Sequence, residues 1–142
     1  MAGLPAYGVQ LKMGDGADPE VFTAIANVHN LGGPEITKAA LDVTAHDGNG
    51  WMDFVGNLKD GGEISLELNW DPGEATHDLA TGLLGSLVNE SQPTNWQVVW
   101  PDDASTTWDI AAIVTAFGPS APVDEKLTAS VTLKVSGQPT LV

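Results

Sequence analysis

Apolar and polar residues alternate most strictly between Gly62 and Trp70. Ile64, Leu66, Leu68 and Trp70 fall on one side of an extended segment, and Glu63, Ser65, Glu67 and Asn69 on the other. A period of two predicts a half-buried antiparallel strand. The period changes at Asp71-Pro72-Gly73-Glu74, which reads as the start of a helix over 72–88. Asp71 would be its N-cap, Pro72 its first helical residue, and Glu74 the N3 partner of a capping box. Leu79, Ala80, Leu83, Leu84, Leu87 and Val88 supply the apolar stripe. Gly82 and Gly85 each weaken such a helix by roughly 1 kcal/mol relative to Ala, so it needs a surface to dock on.

Alternation marks six further strands. Val9 to Met13 is short, and Val21 to His29 puts Phe22, Ala24, Ala26 and Val28 on one face. Leu41, Val43 and Ala45 begin a third, and Trp96, Val98 and Trp100 lead through a Pro101–Ala104 turn to a strand over Trp108 to Phe117. Its run from Ile110 to Val114 is apolar in succession, which predicts cover on both faces. Gly118 to Pro122 reads as a break. Leu127, Ala129, Val131, Leu133 and Val135 form the inner face of the last strand. The predicted fold is mostly β, an antiparallel sandwich or barrel of about seven strands flanked by one α-helix.

Three stretches lie outside that pattern: a flexible N-terminal arm (1–7), a C-terminal tail (138–142) and a long loop (46–62). The loop is rich in glycine yet carries Trp51, Met52, Phe54 and Val55. Loops of that length in compact domains are functional or disordered, and large apolar side chains want burial. The expectation is a loop that orders against another subunit; the alternative is a strand pair folded back on its own domain.

Length and composition narrow the function. At 142 residues the chain is one domain with room for a core, and it has no Cys for disulfide or thiolate chemistry. No apolar run approaches the ~20 residues of a membrane span. The net charge is −14, and all five basic residues are Lys. A chain without Arg is poorly equipped to grip phosphates. The acidity serves solubility, or it keeps a passing polyanion from sticking. No catalytic motif, phosphate-binding loop or dinucleotide fingerprint occurs. His29, His46 and His77 lie far apart and read as surface or loop residues; neither metal nor cofactor is expected. Trp70, Trp96 and Trp100 are in phase with core positions.

The order of these motifs resembles the major tail tube proteins of long-tailed, non-contractile, lambda-like phages and of related gene transfer agents. The resemblance rests on Gly62-Glu-Ile-Ser-Leu-Glu-Leu-Asn-Trp-Asp-Pro-Gly-Glu74, Trp96-Gln-Val-Val-Trp-Pro-Asp102 and the closing strand from Val123 to Pro139. Pro19 to Ile25 and Leu41 to Ala45 belong with them. It spans roughly Val9 to Pro139, and implies a structural virion protein of the phage tail with no enzymatic activity. It also implies a single tail-tube domain, here without the C-terminal immunoglobulin-like domain into which lambda's protein continues. Hexameric rings would stack into a tube that houses the tape-measure protein, meets tail-tip and tail-terminator proteins, and passes DNA without sequence-specific binding. Assembly would take place in the bacterial cytoplasm. The loop residues Trp51, Met52, Phe54 and Val55 would then join rings, and Glu63, Glu67 and Asp109 are candidates for the lumen wall. The rival readings are the tube protein of a contractile or type VI-like system, and a monomeric β-sandwich module using Trp51 or Trp108 as a ligand platform.

Overall fold

The structure is a computed structural model describing residues 3–141; the ends of the predicted N-terminal arm and C-terminal tail lie outside them. Nine strands and one helix follow in the order β1 (Gln10–Gly14), β2 (Phe22–Ala24), β3 (Val28–Gly32), β4 (Thr37–Asp42), β5 (Phe54–Asp60), β6 (Glu63–Asn69), α1 (Leu83–Asn89), β7 (Thr94–Val99), β8 (Thr107–Ser120) and β9 (Thr128–Val135). Seven of them form one sheet in the order β2-β1-β7-β8-β9-β6-β3, antiparallel throughout; β4 and β5 pair only with each other.

This order forces the sheet to roll. Strands β2 and β3 are its two edges, yet only residues 25–27 join them. Laid flat, six strand spacings would separate the edges by about 29 Å. The chain from Ala24 to Val28 reaches at most about 14 Å. The edges must therefore meet, and the sheet closes around a core. Its inward residues are those the alternation selects: Ile64, Leu66 and Leu68 on β6, Ala129, Val131, Leu133 and Val135 on β9, with Leu11, Trp96, Val98, Ile110, Ala112 and Val114.

Four hydrogen bonds hold the seam. Ile25 N–H donates to Leu11 O (2.8 Å), Ala26 N–H to Thr76 Oγ1 (3.1 Å), and Asn69 N–H to Asn27 O (2.9 Å). His77, fully buried, places Nε2 2.7 Å from Ala26 O, while its Nδ1 lies 3.2 Å from the Asp71 N–H. Nδ1 faces a donor and so accepts; Nε2 then carries the hydrogen and donates to Ala26 O. Of the surface or loop place expected for His77 the structure keeps the loop, since it sits in a turn, and overturns the surface, since it is buried. A buried polar side chain on a turn leaves no periodic signal.

Several boundaries differ from the sequence reading. The helix is Leu83–Asn89, not 72–88, and neither Asp71 nor Glu74 caps it; its N-cap is Gly82, which has no side chain to offer. Asp71 Oδ1 instead accepts from Gly73 N–H (3.0 Å) in a tight turn. Asp78 Oδ1 takes the N–H groups of Thr81 (2.8 Å) and Gly82 (3.1 Å), which delays the helix by one turn-rich segment. Leu83 is fully buried, but Leu79 and Val88 are exposed. The strand expected over Val21–His29 is two strands, broken at Asn27, whose φ of 62° suits a short polar side chain. Strand β8 runs through the expected break to Ser120. Beyond Ala112 only β9 flanks it, an edge position that tolerates Pro119. Ala111 and Ile113 are only half-buried, because no layer covers the outer face there.

Replacing His77 by Leu would leave Ala26 C=O and Asp71 N–H without their partner at a partly buried site, at about 1 kcal/mol or more each. We expect a large drop in the denaturant midpoint, against a small one for the exposed Leu79→Ala; equal stability of both variants in urea titrations would remove the seam from the account.

Candidate assembly surfaces

Outside the rolled body the main feature is the β4–β5 hairpin. Phe54–Asp60, expected inside a loop spanning 46–62, is a strand pairing with β4 from Asp42↔Phe54 to Thr37↔Asp60. The alternation that reveals a strand comes from burying one face, and here every residue of both strands is exposed. A bulge between Lys38 and Ala40 further scrambles the pattern. The hairpin is an arm, not a strand pair folded onto the core.

Local hydrogen bonds zip the arm toward its tip. Val43 N–H donates to Asp53 O (2.9 Å), Asp53 N–H to Thr44 Oγ1 (2.8 Å), and Thr44 N–H to Asp42 Oδ1 (2.9 Å). The four expected contact residues gather at and below this tip: Trp51 (75% exposed), Met52 (65%), Phe54 (55%) and Val55 (48%). Leu41, Val43 and Leu58, which the sequence reading did not single out as contact residues, extend the apolar surface along both strands. An isolated two-stranded hairpin is marginal in water.

The arm's base is tightly built. Gly33 and Gly62 hold φ of +92° and +75°, and a Cβ at either would run into the carbonyl oxygen of Glu63 or Glu35, respectively. Asp60 Oδ1 accepts from Gly62 N–H (2.9 Å) and from Lys134 Nζ (3.1 Å), tying the arm to β9. These two partners, the Gly62 N–H foremost, hold the Asp60 carboxyl below the usual carboxylate range.

The acidic candidates lie elsewhere. Glu63, Glu67 and Asp109 are all exposed on the side of their strands opposite the core. Glu63 and Glu67 share one side of β6, but Glu63 stands opposite Lys134 and Glu67 lies 3.9 Å from His29. Asp109 sits four residues before Ile113, the β8 partner of Lys134, and accepts from Gln97 Nε2 at 2.9 Å. Glu63 and Glu67 thus share a side of one strand about 13 Å apart, and Asp109 stands two strands away from them; the three do not form a cluster. Thr140, in the C-terminal tail, bonds to the Asp109 backbone in both directions. At the other end Leu4, Pro5 and Ala6 of the N-terminal arm line a cavity of about 430 Å³ beside Trp100 and Trp108, whose rings pack edge to face at 5.1 Å.

Groups suited to catalysis or metal binding do not converge. Among the described residues no three His, Asp or Glu side chains cluster. In the acidic turn, Asp15 accepts from the N–H groups of Ala17 and Val21, which lower its pKa, and Glu20 bonds to Gly16 and Asn95. No helix among them is long and apolar enough to cross a membrane.

The comparisons with known proteins agree with this architecture. Residues 12–142 match the family described as lambda phage tail tube protein. No protein of curated function matches by sequence. Among solved structures, the chain resembles one from the tail of an empty gene transfer agent particle refined with C6 symmetry (TM-score 0.73, 14% identity, 99% of each chain covered). It also resembles a chain from the sheath/tube terminator of an extracellular contractile injection system (0.74, 16%, 100% of this chain and 98% of that one). A third likeness is to the SPP1 tail tube (0.65, 12%, 97% and 80%). At these identities the likenesses establish a shared fold.

The depressed pKa of Asp60 fixes the sign of one pH effect. The clamp's contribution is complete above the unfolded carboxylate pKa and is lost as pH falls through the lower folded value. We expect Lys134 and Gly62 amide signals to shift together with the Asp60 carboxyl in an acid titration by NMR. Independent titration of the three would mean the clamp does not form.

Proposed function

The chain belongs to the lambda phage tail tube protein family and is a structural, non-enzymatic part of a phage-type tail; from that premise we propose that it assembles into hexameric rings that stack as the tube. The observation that carries the proposal is the arm. It presents Trp51, Met52, Phe54 and Val55 to solvent although the body's core is already complete. Each large side chain gains roughly 1.5–3 kcal/mol on burial, and only another molecule can supply it. A second copy is the partner a tube requires, through a heterologous contact that repeats. The lumen would house the tape-measure protein and later pass DNA, with tail-tip and terminator proteins closing the two ends.

Two alternatives remain from the sequence. A contractile-system tube shares the fold, and the likeness to contractile injection systems matches that to the gene transfer agent in TM-score. The family match favours the non-contractile tail. A monomeric ligand-binding module is disfavoured by Trp108, which is only half exposed and packs on Trp100.

Replacing residues 48–58 by a short Gly-Ser linker removes no core residue. The variant should keep the tryptophan near-UV signature of the folded body yet form no stacked tubes in negative-stain microscopy. Normal tubes from it would refute the assignment of the arm. Hydrogen exchange should show the arm protected only in the assembled state.

For the lumen, we propose that Glu63, Glu67 and Asp109 face the channel and repel phosphate. Lysine at all three should leave tubes intact and slow DNA release in an ejection assay; release at the normal rate would take these residues off the channel wall.

A further inference from the structure

The chain has five lysines, and two of them stand side by side on the arm. Lys38 and Lys59 are direct cross-strand partners, so their side chains share one face. The Lys38 side chain lies over Gly56, with its Cδ 3.0 Å from where a Cβ would stand, which keeps it on the arm. Like charges in this arrangement repel, so the pair costs stability in the isolated chain.

Among the described residues no carboxylate forms an ion pair with either of them; the ion pairs are His29–Glu67 and Lys134–Asp60. The carboxylates on the two arm strands are both engaged elsewhere: Asp60 with Lys134 and Gly62, Asp42 with Thr44. The rest of the molecule is strongly acidic, at −14 overall, so any two copies repel on approach. The arm's lysine pair is a cationic spot that fits such a surface.

Resting on the reading that the arm contacts another copy, we propose that Lys38 and Lys59 dock the arm onto carboxylates of a second copy of this chain. The pair steers the arm to an acidic surface, and the apolar tip then seals the contact. Charge complementarity of this kind sets the approach rate and the register more than the final affinity.

Lysine on an exposed strand also guards against unwanted edge pairing. Glutamate would serve that purpose equally well, and charge reversal separates the two roles. Lys38→Glu/Lys59→Glu should raise the protein concentration needed for assembly by about tenfold or more at low salt, while Lys38→Arg/Lys59→Arg assembles normally. Carbodiimide coupling of amines to carboxylates, applied to tubes made from ordinary and isotope-labelled chains mixed equally, should join Lys38 or Lys59 to an Asp or Glu of the other label. Circular dichroism of the dilute variants checks that the body is folded. Assembly of the reversed variant at the wild-type concentration, or coupling confined to single chains, would overturn the proposal while leaving the tube reading intact. Wild-type chains that never assemble, even when concentrated, would overturn both.

Discussion

The closure of the sheet at residues 25–27 is the constraint on which the rest of the structure depends. Three residues must carry the chain from one edge of a seven-stranded sheet to the other. Their backbone groups would be costly to leave unpaired at a corner that is partly closed to water. Each finds a partner in a different element: Leu11 on β1, Asn69 on β6, and Thr76 with His77 on the turn-rich segment before α1. His77 reaching inward and Asp78 accepting from Thr81 and Gly82 N–H both hold this segment in turns. A regular helix from Pro72 would not leave Asp71 N–H and Ala26 C=O on either side of one imidazole.

Closure also decides what is left outside. With the edges joined, the body buries Trp96 and the aliphatic residues of five strands. The chain leaving β3 then has no place on the sheet until it returns as β6. It crosses the body's end through Gly33 and Gly62, where any side chain would strike backbone, and in between it forms the arm. The arm's apolar residues have no intramolecular surface left to cover. That is a property of the topology and does not depend on any one residue of the arm.

The sequence reveals the body better than the arm, for a physical reason. Strands β6 and β9 each bury one face, so Ile64 to Leu68 and Ala129 to Val135 alternate cleanly. Strand β5 buries neither face, and its Phe-Val-Gly-Asn-Leu-Lys-Asp carries no period to read. The apolar content of 46–62 is legible all the same, because composition survives where periodicity does not, and the structure leaves Trp51, Met52, Phe54 and Val55 exposed. The helix start was misplaced because Asp71, Pro72 and Glu74 satisfy the local rules of a capping box, while tertiary bonds to His77 and the competing carboxylate of Asp78 impose turns. His77 itself was invisible: one buried histidine on a turn looks like any surface histidine.

Acidic residues stand on both the body and the arm, while the exposed apolar cluster and a pair of lysines belong to the arm. On the body, Glu63, Glu67 and Asp109 point away from the core on strands that the closed sheet fixes rigidly. On the arm, Trp51 to Val55 and the two lysines occupy a hairpin joined to the body by glycines and one Asp60–Lys134 pair. Exposed charges act on one another within roughly 8–10 Å at physiological salt, and apolar contact acts only on touching. Two strands of six and seven residues reach farther than that, so arms meet before bodies do, and the charges that act first are those of the arm itself, Asp42, Asp47, Asp53 and Asp60 against Lys38 and Lys59. An arm docked as proposed would bury several large side chains against the repulsion between acidic copies. Under the proposed docking, burial of the apolar tip has to outweigh that net repulsion, and the lysine pair is the part of the arm whose charge works in the same direction as that burial.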